Sequence, residues 1–430
     1  MLIHTLLEHE RLPFAWDDAD LRALTHVNRT VGTEIMQATS HRGQRVLKAG
    51  SHVGMVRIGR HTFQILPKLD YGPHTAASAT RNLLYMLEMA GNFPVRPHEM
   101  APFLQRGRDW FEILTHLFAR DLMVQWQRGS HHHYQVVEET AVRLKGKWQI
   151  SRQMRYPARQ HLFDIAYDEY TADNPLNRVL RYVVELLWQQ TGDSENRRLL
   201  GTLRHWLADI TLLPHVAPQM AAPTLINRLN RRYEPLLNLA RLFLQTSTLE
   251  LSAGRLTSFA FVFDMNQLFE AFIISLLQKR PSLLPTALHG CSLHPQGRGH
   301  TRFLAETAVG QRVFRLKPDL LLRRDDHYPL LLDTKYKILG GKDLKLGVSS
   351  ADFYQMFAYS QRYECPHVLL LYPQGKRPLR QRFILPDNKG VISVATVNLR
   401  RDLRGQSGRL ALLNELRDIL NNEVENDATQ

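Results

Sequence analysis

"RLKPDLLLRRDDHYPLLLDTKYK", residues 315–337, puts a Pro-Asp pair at the head of one leucine run and an Asp-Thr-Lys triplet at the tail of the next. The two runs, 314–323 and 328–339, read as β-strands joined by the polar turn Arg324-Asp325-Asp326-His327. Side chains alternate between faces along a strand, so Asp333 and Lys335 share one side and Thr334 takes the other. Asp319 joins them if the strands pair in register, and Leu320, Leu322, Leu330 and Leu332 then pack against a core. Two carboxylates alone would repel each other in a half-buried site. A divalent cation removes that repulsion, and oxygen ligands suit Mg2+, with Mn2+ as the alternative. A lysine there can orient or help deprotonate the attacking water, or offset charge on a phosphate. This is the chemistry of phosphodiester hydrolysis.

An Asp-x-Lys spacing carries little weight by itself. Asp343-Leu344-Lys345 and Asp387-Asn388-Lys389 repeat it in polar, Gly-flanked stretches, without a second strand offering an acid, and read as turns or solvated loops. The plain alternative for Asp319, Asp333 and Lys335 is a surface salt bridge on a hairpin; their leucine-rich flanks argue for burial instead. Two neighbouring segments add to the case. "FDMNQLFEAFIISLLQK" (263–279) reads as an amphipathic helix that surrounds Glu270 with apolar residues, so Glu270 either completes a metal shell or sits on a helix surface. In the helical "DFYQMFAYSQRY" (352–363), Gln355 and Tyr359 are four apart and share a face, as site residues or as polar residues of a helix–sheet seam.

The chain has 55 Lys and Arg against 41 Asp and Glu, a net charge of +14 and a pI near 9.9. Such an excess favours a polyanionic partner, usually nucleic acid, over a merely basic surface. The basic clusters at 227–235, 372–383 and 398–409 are dispersed, which suits a channel built by the fold better than a basic tail. Cys291 and Cys365 are too few for a disulfide framework or a four-cysteine zinc site. His131-His132-His133 are adjacent and cannot converge on one ion, so they read as an exposed loop. No run of about 18 uncharged apolar residues and no secretory leader stand out, so no membrane contact and a cytoplasmic location are expected. No G-x-x-x-x-G-K-[ST] phosphate loop is found either.

Three textures divide the chain. Residues 1–75 are β-rich; 76–254 are mainly helical with a strand insertion near 134–150; 255–430 alternate helix and strand. Asn174-Pro175 marks one helix start in the cap-then-proline order. The expected class is α/β (α+β), ending in a domain with a mixed central sheet flanked by helices.

The order helix with Glu270, Pro318-Asp319, Asp333-x-Lys335, then Gln355-x-x-x-Tyr359 resembles the PD-(D/E)xK nuclease superfamily, in its RecB-type branch. Wider pieces narrow this: "LKAGSHVGMVRIGRHTFQILPKL" (47–69), "LKGKWQI" (144–150), "YDEYTADNPLNRVLRYVV" (167–184) and "FDMNQLFEAF" (263–272), with "LKPDLLL" (316–322) and "LDTKYK" (332–337). Together they are similar to McrC, the nuclease-subunit family of McrBC-type 5-methylcytosine-specific restriction systems. The resemblance implies an Mg2+-dependent endonuclease of modified double-stranded DNA that serves in defence against phage. It implies Asp319, Asp333 and Lys335 as catalytic residues, Asp319, Asp333 and Glu270 as metal ligands, and Gln355 and Tyr359 in support. It also implies a McrB-like AAA+ GTPase hexamer as partner, stimulated through the N-terminal region. A non-catalytic activator of such a motor and a stand-alone RecB-like repair nuclease are the alternative readings.

Overall fold

The computed structural model describes residues 2–59, 61–69, 75–91, 93, 110–159, 161–246, 258–340, 344–386 and 390–424. The fold is mixed α/β, and the backbone gathers into two compact units: Met1–Trp110 with Ala260–Gln430, and Phe111–Phe259. Residues 1–75 and the C-terminal stretch, which differ in sequence texture, thus belong to one unit. Asp343 and Asp387–Lys389 lie outside the described residues.

The first unit begins with β1 (Leu2–Leu7), β2 (Arg11–Pro13), α1 (Asp18–Val31), β3 (Met36–His41), β4 (Gln44–Ala49), β5 (His52–Ile58), β6 (His61–Leu66) and α2 (Thr75–Gly91). Asp17 and Asp20 close a reciprocal capping box on α1, and Gly32, at φ 77°, ends it in the left-handed region. β2, β4 and β3 form one antiparallel sheet. Apolar residues of alternate positions, among them Leu6, Leu47, Val56, Phe63 and Ile65, meet Leu24 and Val27 of α1 in a common core.

The second unit holds most of α3 (Trp110–Gln127), then β7 (His133–Ala141), β8 (Lys147–Trp148), β9 (Phe163–Thr171), α4 (Pro175–Gln190), α5 (Ser194–Trp206) and α6 (Glu234–Thr246). Asn174 caps α4 by accepting from Asn177 N–H at 3.0 Å, with Pro175 at the first helical position. The strand insertion is a three-stranded antiparallel sheet, ordered β7-β9-β8. Its third member, β9, is not evident in the sequence. His131–His133 are half-buried, not an exposed loop, and His133 opens β7. Asn230 Nδ2 lies 3.2 Å from His131 Nε2.

The remainder of the first unit holds most of β10 (Ser258–Asp264), then α7 (Met265–Lys279), β11 (Ser292–Pro295), β12 (Arg302–Glu306), β13 (Arg312–Leu316), β14 (Leu320–Arg324) and β15 (His327–Thr334). It ends with α8 (Ser350–Tyr363), β16 (His367–Pro373), β17 (Arg380–Ile384), β18 (Val391–Val397) and α9 (Gln406–Val424). Six strands form the main sheet in the order β11-β14-β15-β16-β18-β17, parallel along β15-β16-β18 and antiparallel on either side. Leu321, Leu331, Val368, Leu370 and Val394 pack with Met356 and Tyr359 of α8. Leu320, Leu322, Leu330, Leu332, Leu369 and Leu371, of the opposite parity, are equally buried. Both faces of the sheet are therefore covered, and its strands read as continuous apolar runs.

Two strand limits differ from the sequence expectation. The run 314–323 is not one strand: among the described residues β13 pairs with β12 alone, and β14 begins afresh at Leu320. Pro318, which lacks a donor N–H, falls in the break. The second run leaves the sheet at Thr334, after which Lys337 N–H turns back onto Lys335 O at 2.9 Å.

The two ends of the first unit share a sheet, ordered β1-β6-β5-β10, with β1 parallel to β6. Gly54, on β5, has φ 153°, and a Cβ there would land on the Phe261 carbonyl oxygen of β10. Gly54→Ala should therefore destabilise the first unit by about 1–3 kcal/mol, the range for forced overpacking. An unchanged thermal midpoint would mean that β5 and β10 are not held this tightly.

Glu8 follows β1, is 3% exposed, and accepts from Lys68 N–H at 2.9 Å. Burial raises its carboxyl to about 7, against a lowering by the Lys68 N–H and a further push from Asp264. The folded protein thus holds a proton that the unfolded chain releases near 4.5. The stability it lends is full below 4.5 and is lost as pH rises through about 7. Glu8→Gln should flatten the fall in thermal midpoint across that window, and an unaltered pH profile in the variant would show that Glu8 does not cause it.

Candidate active site

The register of two strands builds the centre. Leu320 pairs with Leu332 and Leu322 with Leu330, which sets Asp319, just before β14, across from Asp333 near the end of β15. Asp333 is 1% exposed. Lys335 Nζ donates to Asp333 Oδ2 at 2.5 Å. Asp319 Oδ2 accepts twice from Thr334, from its backbone N–H and from its hydroxyl, both at 2.7 Å. Lys335 N–H continues the ladder to Leu371 O at 3.0 Å, which fixes the start of the segment leaving β15. Asp319, Asp333 and Lys335 therefore meet, as the sequence led one to expect.

Glu270, on α7, is joined to this group through Gln296. Gln296 Nε2 donates to Glu270 Oε1 at 3.2 Å while its backbone N–H donates to Asp319 O at 2.8 Å. Gln355 Nε2 donates to the Tyr359 hydroxyl at 2.8 Å, and Tyr359 is almost fully buried. Thr334 and Gln296 are the additions that the sequence did not yield. Thr334 sits on the opposite face by strand parity, and Gln296 lies on a Gly-flanked turn after β11, where nothing in the local pattern marks it.

The electrostatics follow from burial. Removal from water raises Asp333 to about 7, with Asp319 adding to the rise and Lys335 opposing it. Asp319 is raised by burial too, against hydrogen bonds from Thr334. Glu270 is raised by burial and by the charge of Asp319. For Lys335 burial acts to lower the pKa, but the charge and hydrogen bond of Asp333 outweigh it and the net shift is upward. Lys335 is thus an ammonium in this arrangement, suited to orienting water or holding negative charge rather than to taking a proton. Tyr359 is raised by burial and by Asp333, so it stays a neutral hydroxyl.

Among the described residues no group of three or more His, Cys, Asp or Glu is close enough to enclose a metal ion. Mg2+ does not need such an enclosure, because it keeps several waters and takes one or two carboxylates. Asp319 and Asp333 fit that pattern: both are hard oxygen donors, the charge of Asp319 raises Asp333, and the hydrogen bonds described use only Oδ2 of each. Glu270 is linked to them through Gln296 and does not reach a common three-carboxylate cluster. Cys291 and Cys365 are both buried free thiols. Among the described residues no helix is long and apolar enough to cross a membrane.

Comparison with known proteins bears on the family and the fold. The family described as "McrBC 5-methylcytosine restriction system component" matches residues 47–373, more than half of the chain. A solved structure of Thermococcus gammatolerans McrB AAA+ hexamers with bound McrC is similar over 98% of this chain and 99% of the other, at 23% identity and a TM-score of 0.65. That likeness establishes the fold. The Thermococcus gammatolerans McrBC complex is similar over 65% of this chain and 88% of the other, at 27% identity and a TM-score of 0.51. No curated protein matches. The matched segment spans Asp319, Asp333, Lys335, Glu270, Gln355 and Tyr359, and the chain belongs to the McrBC 5-methylcytosine restriction system component family.

Proposed function

We propose that this chain is the nuclease subunit of its restriction system, hydrolysing DNA phosphodiesters with Mg2+ and working with a McrB-like AAA+ GTPase. The observation that carries the proposal is the convergence of Asp319, Asp333 and Lys335 at paired strand ends, within a buried setting. A salt bridge needs only one acid; a second carboxylate beside it is an electrostatic cost that a nuclease centre turns to use.

Asp319 and Asp333 would hold the cation, with Glu270 behind them; bound there, it supplies charge neutralisation at the phosphate. Lys335, kept protonated by Asp333, orients water and opposes the charge gathering on the phosphoryl oxygens. Thr334 aims Asp319 through two hydrogen bonds, and Gln296 ties Glu270 to the Asp319 backbone. Gln355 and Tyr359 offer an amide and a neutral hydroxyl for the strand being cut. A net charge of +14 supports a DNA substrate held through its phosphates.

The partner is inferred from the family and from the Thermococcus gammatolerans assembly of McrB AAA+ hexamers with bound McrC. Partner contact and stimulation of GTP hydrolysis are assigned to the part of the chain before residue 255, which contains none of the proposed nuclease residues.

Modified plasmid should be cut by the purified chain with Mg2+ and the AAA+ partner. Asp319→Ala, Asp333→Ala and Lys335→Ala should each lower cleavage by about 100-fold or more, while Asp343→Ala and Asp387→Ala cut normally. Robust cutting by Asp333→Ala would overturn the assignment. Stimulated GTP hydrolysis with an intact plasmid would favour the non-catalytic activator, and full cutting without the partner a stand-alone nuclease.

Metal occupancy gives a separate reading. Mg2+ should raise the thermal midpoint of the parent protein and leave that of Asp333→Asn unmoved. Equal shifts in both would place the cation elsewhere.

A further inference from the structure

Where the chain leaves Lys335 it enters a cleft of about 670 Å³ whose walls all belong to the first unit. Tyr336 and Lys337 line it directly, and so does Asn266, one turn before Glu270 on α7. Asn266 Oδ1 accepts from Tyr336 N–H at 3.3 Å, so the α7 wall and the chain leaving β15 are pinned to each other. The cleft therefore opens beside the centre described above, on the same two elements.

Its charge calls for an anion. Lys68, Lys337, Lys376 and Arg400 share the lining with a single acidic side chain, that of Glu8, and none of the four cations takes part in an ion pair described for this chain. Arg400 Nε is buried and has no hydrogen-bond partner among the described residues, an orphan N–H of the kind a ligand satisfies. Its loop is rigidly held: Asn82, on α2, donates to Leu399 O and Arg401 O at 2.8 and 2.7 Å and accepts from Leu403 N–H at 3.1 Å. The guanidinium is thus presented by fixed backbone.

Its remaining lining asks for more than a phosphate. Ile338 keeps 39% of its surface exposed, and with Leu69 and Tyr336 it gives the cleft an apolar wall. Gln374, 7% exposed, adds an amide with both donor and acceptor character. An inorganic anion would leave the apolar wall wet and most of the volume empty. A flat heteroaromatic ring carrying a phosphate uses both, since a base face lies well against aromatic and aliphatic side chains.

We propose that this cleft is a subsite for one unstacked nucleotide of the DNA strand, its phosphate held by Lys68, Lys337, Lys376 and Arg400 and its base laid against Leu69, Tyr336 and Ile338. The proposal rests on the nuclease reading for the source of that nucleotide, and it adds that the strand is locally opened beside the bond to be cut. Opening at this point lets the path from Lys335 to Lys337 follow one strand rather than a whole duplex.

The test uses the full chain in EDTA, titrated calorimetrically with dAMP, dCMP, 2-deoxyribose 5-phosphate and inorganic phosphate. Both nucleotides should bind saturably with Kd of roughly 1 mM or tighter, and the two base-free probes about tenfold more weakly, the share carried by base stacking. Arg400→Ala and Ile338→Ala should each weaken nucleotide binding by about tenfold with unchanged thermal midpoints; Ile338 is exposed enough for its truncation to leave the fold intact. Asp319→Asn should bind as the parent does. Equal affinity for inorganic phosphate and dAMP would reduce the cleft to a cationic patch and overturn the proposal, as would nucleotide binding that survives both variants. Because no metal and no cleavage enter the measurement, a failed nuclease reading would show as uncut plasmid with nucleotide binding intact. Cleavage without nucleotide binding would sink the subsite alone.

Discussion

The pairing of β14 with β15 is the constraint on which the candidate centre depends. With Leu320 opposite Leu332, two acids arrive side by side at strand ends while every leucine between them stays buried. Strand side chains alternate, so a slip of one residue would send Asp333 to the other face and expose half the core. The apolar runs that fix this register are therefore as much a part of the chemistry as the acids. They also deny water to Asp333 and push its carboxyl upward.

Everything around the acids can be seen as a response to that denial. Lys335 is kept charged by the carboxylate it touches, and Thr334 gives both of its donors, N–H and hydroxyl, to Asp319. Tyr359 brings a hydroxyl that remains protonated, already engaged by Gln355. A buried pair of acids left without these partners would be strongly unfavourable. The hydrogen bonds that these partners make use one oxygen, Oδ2, of each carboxylate.

Much of the centre was legible because its signals are local. Asp333 and Lys335 are two apart where one apolar run ends, Gln355 and Tyr359 four apart on one helix, and the leucine runs announce burial. Asp319 needed only the assumption of register. What was hidden depends on the turn of the chain through space. Gln296 approaches from a bend after β11, and Pro318 breaks what looked like a single strand into members of two sheets. The mixed α/β class and a strand insertion in the helical stretch could be anticipated from periodicity. The sharing of a sheet between residues 52–58 and 258–264 could not, because no pattern in either segment names the other.

That shared sheet also sets an order of events for the chain as it is made. β5 gains its outer neighbour, β10, only when the residues beyond 258 are available, and until then its edge offers unpaired backbone groups to any other strand. The unit Phe111–Phe259 stands in sequence between the two parts that share the sheet. The beginning of the polypeptide thus cannot complete its sheet until the middle has been synthesised. The N-terminal sheet is closed by the strand that leads directly into the helix bearing Glu270.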